Sequence, residues 1–478
     1  MAIDNSQTAD IAMGQKVTGH KRRDSVAVDD SAAGEAMDVH LDPALECRLL
    51  MKLDIAFVPI IMLTYLSCFL DRSNIGNVKV AGMPEDIHAS DSQFSTAISI
   101  FYVTYVLFES PWAVLMKKLT PRNILTGLCI VWSFTTVFSG FIDSVASLYA
   151  TRLILGACQQ AKTVSYLLSC AAISGAVGGL LAYGLLHMDG VAGKAGRRWV
   201  YVIEGIFSAL CAVLIWFGLP NNPAEAYFLN EEEKWMMRVR NEQRRKYMGS
   251  EKFSWQEMRI ALTDPKLFFS GLIQFCQDIL LYGSSTFLPT ILKGMGYNSL
   301  MSNVLTVPVY VSAAVVFVFL AFCSDRYSKF ASFISGSNIF GIVGYILLLT
   351  VSQKPVQYFA TFLIGISTYT GVGLNVAWIN VNVAPQYRRS LEIGLQQTIG
   401  NCAGIVAGQI YRNPPYVLGN SFNSFSLGAL VVSQIAVTFF GFYLRRENQV
   451  KARIENDEIQ DTRRVQTGDA AVDFKYLY

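Results

Sequence analysis

A few groups stand inside the apolar runs of this 478-residue chain that hydrocarbon does not tolerate without cause: Asp71, Arg72, Glu109, Arg152 and Asp278. An ionisable side chain in a bilayer is costly, so each is expected to face a cavity and to act there. Arg152 stands in mid-segment, too deep to reach the interface. A guanidinium grips a carboxylate with two parallel hydrogen bonds, which makes Arg152 the first choice for a substrate carboxylate. A structural pair with Glu109 or another acid is the alternative. Asp71 and Arg72 close the first apolar run, where a pair wetted by the interface is the plainer reading.

Helical spacing extends the set. Tyr102, Tyr105 and Glu109 recur at i, i+3, i+7, and Gln274, Asp278 and Tyr282 at i, i+4, i+8, with Gln277 adjoining. Asn375, Trp378 and Asn382 repeat the pattern, as do Gln397 and Asn401. One polar stripe per helix predicts a wet face, although a lone amide also serves to join two helices. The expected substrate-binding set is Arg72, Arg152, Gln274, Gln277, Tyr282, Asn375, Asn382 and Asn401. Glu109 and Asp278 are candidates for handling protons.

The elements that must hold these groups are membrane spans. Hydrophobic residues make up 52% of the chain and charged residues 16%, with a mean hydropathy of +0.35, more apolar surface than one water-soluble core buries. The apolar residues gather into runs such as Asn123 to Ile142, Val304 to Cys323, Phe330 to Ser352 and Ser426 to Leu444, each long enough to cross a bilayer. The pattern predicts an all-α membrane protein: a tail over 1–50, a six-helix half over 51–220, a charged cytoplasmic stretch over 221–264, a second six-helix half over 265–446 and a tail over 447–478. The tails read as disordered and cytoplasmic.

Basic residues sit in the connections that would share one side, which makes that side cytoplasmic and puts both termini there. Lys117, Lys118 and Arg122 follow the second span, while Asp325, Arg326 and Lys329 follow the eighth. An acid at the membrane edge that pairs with a base in one state and releases it in another makes a gate latch. Two six-span halves around a charged loop form a transporter architecture, with the site near the midplane between them.

Several classes are excluded. No nucleotide-binding loop occurs, which leaves ion gradients to drive transport, and no reactive set for an enzyme stands within the spans. The four histidines form no metal set, the nine cysteines follow no zinc or disulfide spacing, and no cofactor is expected. With a net charge of +3 explained by topology, no nucleic-acid partner is expected. The expected partners are the bilayer, protons and a small organic anion, for a monomer in the plasma membrane.

Signature residues narrow this. Ala321-Phe-Cys-Ser-Asp325-Arg326-Tyr-Ser-Lys329 resembles the loop motif of the major facilitator superfamily, though its first-half counterpart has Lys117 where the family has Asp. Phe69-Leu-Asp71-Arg72-Ser-Asn74-Ile-Gly76-Asn77, Ala81-Gly82-Met83, Arg152-Leu-Ile-Leu-Gly156, Ser174 to Ala182, Ile203-Glu204-Gly205 and Ile399-Gly400-Asn401 resemble the anion:cation symporter branch and, within it, the fungal allantoate permease family. That resemblance implies proton-coupled uptake of a carboxylate such as nicotinate, pantothenate, biotin or allantoate. It also implies that Asp71 carries the proton, with Arg72 as its electrostatic partner.

One departure stands out. Family members carry a glutamate where Gln159 stands, followed by a Gly- and Pro-containing remainder and a basic loop, whereas here Ala161-Lys162 leads directly into the fifth span. Span 4 is therefore expected to be truncated to about fourteen residues, roughly 21 Å of helix against a core of about 30 Å. This raises a transport-impaired copy or a misjoined transcript as alternatives, and a nutrient sensor of the same fold is a separate one.

Overall fold

The computed structural model describes residues 43–159, 167–222, 226–247, 255–384, 386–410, 417–456, 469 and 474–478. Among them the chain is helical and contains no strand. Helices α1 (Pro43–Val80), α2 (Met83–Asp86), α3 (Asp91–Lys118), α4 (Pro121–Ser139), α5 (Val145–Cys158), α6 (Leu167–Leu186) and α7 (Gly196–Gly218) come first. The polar helices α8 (Glu231–Tyr247) and α9 (Trp255–Thr263) follow. Then come α10 (Pro265–Gly294), α11 (Ser299–Tyr327), α12 (Phe330–Thr350), α13 (Lys354–Asn382), α14 (Gln386–Ile410) and α15 (Val417–Asn456). Helices α1, α7, α11, α12, α13 and α15 are long and apolar enough to cross a membrane, while α5 and the described apolar part of α6 are shorter.

Local sequence explains where the helices begin. Ser90 caps α3 and exchanges hydrogen bonds with Gln93, and Ser144 does the same with Ser147 at α5. Asn298 caps α11, and Asp264 caps α10 ahead of Pro265, whose missing N–H costs nothing in a first turn. The outward faces carry exposed large apolar residues, among them Phe134, Phe138, Leu210, Phe217, Val315, Phe319, Phe322, Phe439 and Phe442. In water this would be an aggregating surface; against lipid tails it is the fitting one.

Before the polar stretch, α4 packs on α7, α3 on α5, and α1 on α6 and α7; after it, α13 packs on α11 and α12, and α15 on α10 and α12. The two groups meet through α3 with α14, α6 with α11, and α1 with α10. Small residues allow that approach. A Cβ on Gly76 would lie 1.9 Å from the Thr286 carbonyl oxygen, and one on Gly179 would lie 2.7 Å from that of Asn303.

Hydrogen bonds between the groups gather toward the end away from the chain termini. Lys293 Nζ and Ser299 Oγ donate to the Val80 carbonyl at 3.2 and 3.1 Å. Ser99 Oγ donates to the Ile405 carbonyl at 3.0 Å and accepts from Gln409 at 2.7 Å. At the terminus end α8 is tied to the start of α1 by Lys52 with Glu233 at 2.8 Å and Arg240 with Glu46 at 2.6 Å. The Lys52 and Asn230 hydrogen bonds hold the Glu233 carboxyl below its usual range.

Two sequence expectations change here. α1 does not end at Asp71 and Arg72 but runs two further turns to Val80. Its polar residues Ser73, Asn74 and Asn77 are buried between helices, Asn77 donating to Asn74 at 3.0 Å, rather than marking an exit into water. The last tail is also not wholly free coil: α15 continues to Asn456, and residues 474–478 dock against the helix ends. Helix α5 spans 14 residues. The segment 160–166 that follows lies outside the described residues.

Candidate functional site

Successive residues on a helix point about 100° apart, so Asp71 and Arg72 cannot face the same surroundings. Arg72 turns toward the meeting of the two helix groups. Its guanidinium carbon lies 4.6 Å from the ring centre of Tyr105, 5.5 Å from Phe101 and 6.0 Å from Tyr102, all on α3, and 5.8 Å from Tyr282 on α10. Aromatic faces attract a cation without neutralising it. Arg72 forms no ion pair among the described residues.

Polar groups on α10, α14 and α3 complete this side. The Tyr102 and Tyr282 rings meet at 4.6 Å. Tyr282 donates to Asn401 Oδ1 at 2.6 Å, and Asn401 Nδ2 donates to Glu109 at 3.3 Å. Asp278 is buried within electrostatic reach of Arg72 and accepts from Gln274 at 3.2 Å. Gln274 in turn accepts from Asn375 at 2.9 Å. Two glycines of α14 make room: a Cβ on Gly400 would lie 2.2 Å from an Asp278 carboxyl oxygen, and one on Gly404 would lie 2.2 Å from the Tyr102 ring.

Asp71 turns into the first helix group. Its Oδ2 accepts a short hydrogen bond from the Trp132 indole of α4 and another from Ser208 of α7 at 3.2 Å, while Oδ1 is buried with no hydrogen-bond partner among the described residues. Arg152 is 3% exposed; its Nη2 donates to the Tyr201 hydroxyl at 3.3 Å, and it forms no ion pair with Glu109 or any other described acid. Arg152 acts on Asp71 only at longer range. Glu204, also on α7, is buried beside Asp71.

The structure thus brings Arg72, Tyr282, Asn401, Glu109, Asp278, Gln274 and Asn375 into one connected region between the groups. Asp71 and Arg152 share a second region inside the first group. Two expected residues lie elsewhere. Gln277 joins α10 to α12 and α15 by donating to Asn338 at 2.6 Å and Ser433 at 3.1 Å. Asn382 and Trp378 hold the chain end, both donating to the Leu477 carbonyl, at 2.9 and 2.8 Å. A period-four stripe marks one helix face but does not reveal whether that face meets a cavity, a neighbour or a tail.

The expected latch is not closed. Asp325, Arg326 and Lys329 are exposed and form no ion pair among the described residues. Arg122 lies 4.7 Å from the Trp216 ring, and the side chains of Lys117 and Lys118 fall outside the described residues. A charge cluster that the sequence did not announce occupies the terminus end instead. Asp469 pairs with Lys266 and, at 3.1 Å, with Arg388, which also pairs with Asp264 and, at 2.8 Å, with Glu392.

Trp132, Ser208, Tyr201 and Glu204 were likewise missed as site residues. The Ile203-Glu204-Gly205 match marked the place without a role. The glycine has one: a Cβ on Gly205 would lie 2.8 Å from the Val137 backbone, so α4 and α7 close here around Asp71.

Comparison with known proteins decides the family. The profile of the Major Facilitator Superfamily matches residues 61–161 and 159–408. The chain belongs to that superfamily. An uncharacterized transporter of Schizosaccharomyces pombe is 42% identical to this major facilitator over 468 residues, covering 94% of this chain and 96% of that one. The high-affinity nicotinic acid transporter of Saccharomyces cerevisiae is 28% identical over 463 residues, 91% of this chain and 85% of that one. The fold is shared with the crystal structure of a bacterial homolog of the human lysosomal transporter Spinster, at a TM-score of 0.60 and 16% identity, covering 85% of this chain and 98% of that one. This major facilitator is a multi-pass membrane transporter, not an enzyme. Its profile match breaks at 159–161, where α5 ends.

Proposed function

We propose that this major facilitator takes up a small organic anion together with protons, within the anion:cation symporter branch and its allantoate permease family. The observation that carries the reading is Arg72: a cation at the meeting of the helix groups, ringed by four aromatic side chains and without an ion pair among the described residues. A carboxylate can fork onto such a guanidinium while a flat substrate body lies against the rings. The likeness to a nicotinic acid transporter supports an aromatic monocarboxylate. Asp278 lies within electrostatic reach of Arg72, and Glu109 is joined to Tyr282 through Asn401; with Asp71 they are our candidates for the proton. Two six-helix halves move about the site, with both termini cytoplasmic in the plasma membrane.

The test is uptake of labelled nicotinate, pantothenate, allantoate and biotin into yeast lacking its own carriers, with and without a protonophore. Saturable uptake of one anion that collapses with the gradient supports the reading. Gradient-independent uptake replaces symport by uniport, and uptake of neutral sugars alone overturns the anion.

A second reading is favoured by one location. α5 has 14 residues, roughly 21 Å of helix, and the profile match breaks where it ends. We infer that a segment after Cys158 is missing and that the deficit falls on coupling and gating. Sequencing the transcript across the codons for Gly156 to Thr163 tests this, and robust proton-driven uptake by this very chain refutes an impairment.

A further inference from the structure

Glu204 has no assigned role, yet it is an acid buried in a bundle interior. It is 3% exposed on α7, and neither of its carboxyl oxygens has a hydrogen-bond partner among the described residues. No cation pairs with it among the described residues, and its electrostatic neighbour is another acid, Asp71. The helices packed on α7 offer it no counter-charge among their described residues. α1 brings Asp71, α4 brings Trp132 and Cys129, and α6 brings no acid or base among its described residues. Among the described residues Arg152 of α5 hydrogen-bonds Tyr201 alone, one turn from Glu204.

Three of the four carboxyl oxygens of this pair therefore have no hydrogen-bond partner among the described residues, with the Thr136 hydroxyl of α4 the remaining polar group near Asp71. The fourth, Asp71 Oδ2, depends on Trp132 and Ser208. Ser208 has a single hydroxyl proton, and its oxygen also lies 3.0 Å from the Glu204 carbonyl and 2.6 Å from Ser67 Oγ. Donation to Asp71 thus competes with the α-helical back-bond. Two such carboxylates cannot both be ionised in a bundle interior with so few donors.

We propose that Glu204 is a second proton-carrying group, which holds a proton while Asp71 is charged and gives it up in the transport cycle. The pair works as one store: loading adds a proton from water on one side, and release returns that proton to water on the other, with no bond changed besides O–H. The proposal rests on the proton-symport reading given above, and its experiment separates the two.

Full-length wild type and Glu204→Gln are purified, reconstituted in liposomes and compared for labelled-nicotinate accumulation under an inward proton gradient and for nicotinate exchange at equal concentrations without one. Infrared spectra of both proteins at neutral pH are taken for the band of a buried protonated carboxyl. Glutamine copies the shape of a protonated glutamate but cannot release a proton. The expected result is at least a tenfold fall in the ratio of accumulation to exchange, together with loss of the infrared band. A band unchanged in Glu204→Gln overturns the proposal whether or not nicotinate is carried. A lost band with the wild-type ratio also overturns it, since a merely structural glutamic acid behaves that way. Wild type that exchanges nicotinate but ignores the gradient sinks the symport reading itself, and with it this role. Glu204→Asp keeps a titratable group and is expected to restore most of the ratio.

Discussion

Asp71 and Arg72 are neighbours in the chain and strangers in the fold. Arg72 faces a region shared by both helix groups, where its neighbours are aromatic rings from α3 and α10. Asp71 faces the interior of the first group alone, held by Trp132 and Ser208. Contacts on Arg72's side must change when the groups rock, while those on Asp71's side stay within one rigid bundle. The difference suits a division of labour along one turn of α1: on the proposed function, Arg72 senses the ligand while Asp71 keeps its surroundings through the cycle.

Breaking Arg72 is expected to have the largest effect. Arg72→Lys keeps the charge but loses the planar fork and the stacking, so uptake is expected to fall on the order of 100-fold, about 2–3 kcal/mol. Membrane abundance by fluorescence of a tagged protein should stay near wild type. If uptake and apparent affinity are unchanged, Arg72 does not hold the anion. Arg152→Lys sharpens the comparison, because Arg152 belongs to Asp71's side. It is expected to lower accumulation, by less than Arg72→Lys lowers uptake, while a binding assay with labelled anion retains most of its signal; lost binding would move Arg152 to the substrate.

Next in size is Trp132→Phe, which removes one of the two donors to Asp71 while keeping an aromatic ring in the bundle. Leaving a buried acceptor unsatisfied costs on the order of 1–3 kcal/mol, and the cost falls on the charged form. The charged form loses support, so half-maximal uptake is expected at higher pH, with apparent affinity at saturating acidity unchanged. A change in affinity alone would tie Trp132 to the ligand side instead.

The fold was far more legible in the sequence than the site. Runs of apolar residues and the basic connections announced the spans because lipid imposes length and composition. Polar residues inside those spans, by contrast, look alike whether they line a cavity or join helices. Gln274 and Gln277 are three residues apart on α10; one supports Asp278 beside Arg72, and the other bolts α12 and α15 together. Asn382 continues the stripe of Asn375 yet binds the chain end. Only partners distant in sequence separate these cases. The donors of Asp71 come from residues 61 and 137 positions away, a relation that no spacing within one helix encodes.

The smallest expected effect tests whether a complete charge cluster behaves unlike the incomplete one around Asp71. At the terminus end, Lys266 and Arg388 are surrounded by Asp264, Glu392 and Asp469, three acids for two bases. Breaking a buried pair is severe when it strands a charge. Asp469→Asn strands none, since Arg388 keeps Asp264 and Glu392, and Lys266 keeps Asp264 at 3.3 Å. The Asp469 carbonyl, which accepts from Lys451 at 2.6 Å and Tyr476 at 2.7 Å, is also untouched. The change should therefore cost about 1 kcal/mol or less, read as a slight fall in the Tm of the detergent-purified protein with uptake near wild type. Asp264→Asn is the contrasting variant, because Asp264 serves both bases and also caps α10 through the Lys266 amide at 2.8 Å. It should destabilise several-fold more. Equal effects from the two variants would mean that the cluster is not redundant, and that Asp469 is as indispensable to its bases as Trp132 is to Asp71.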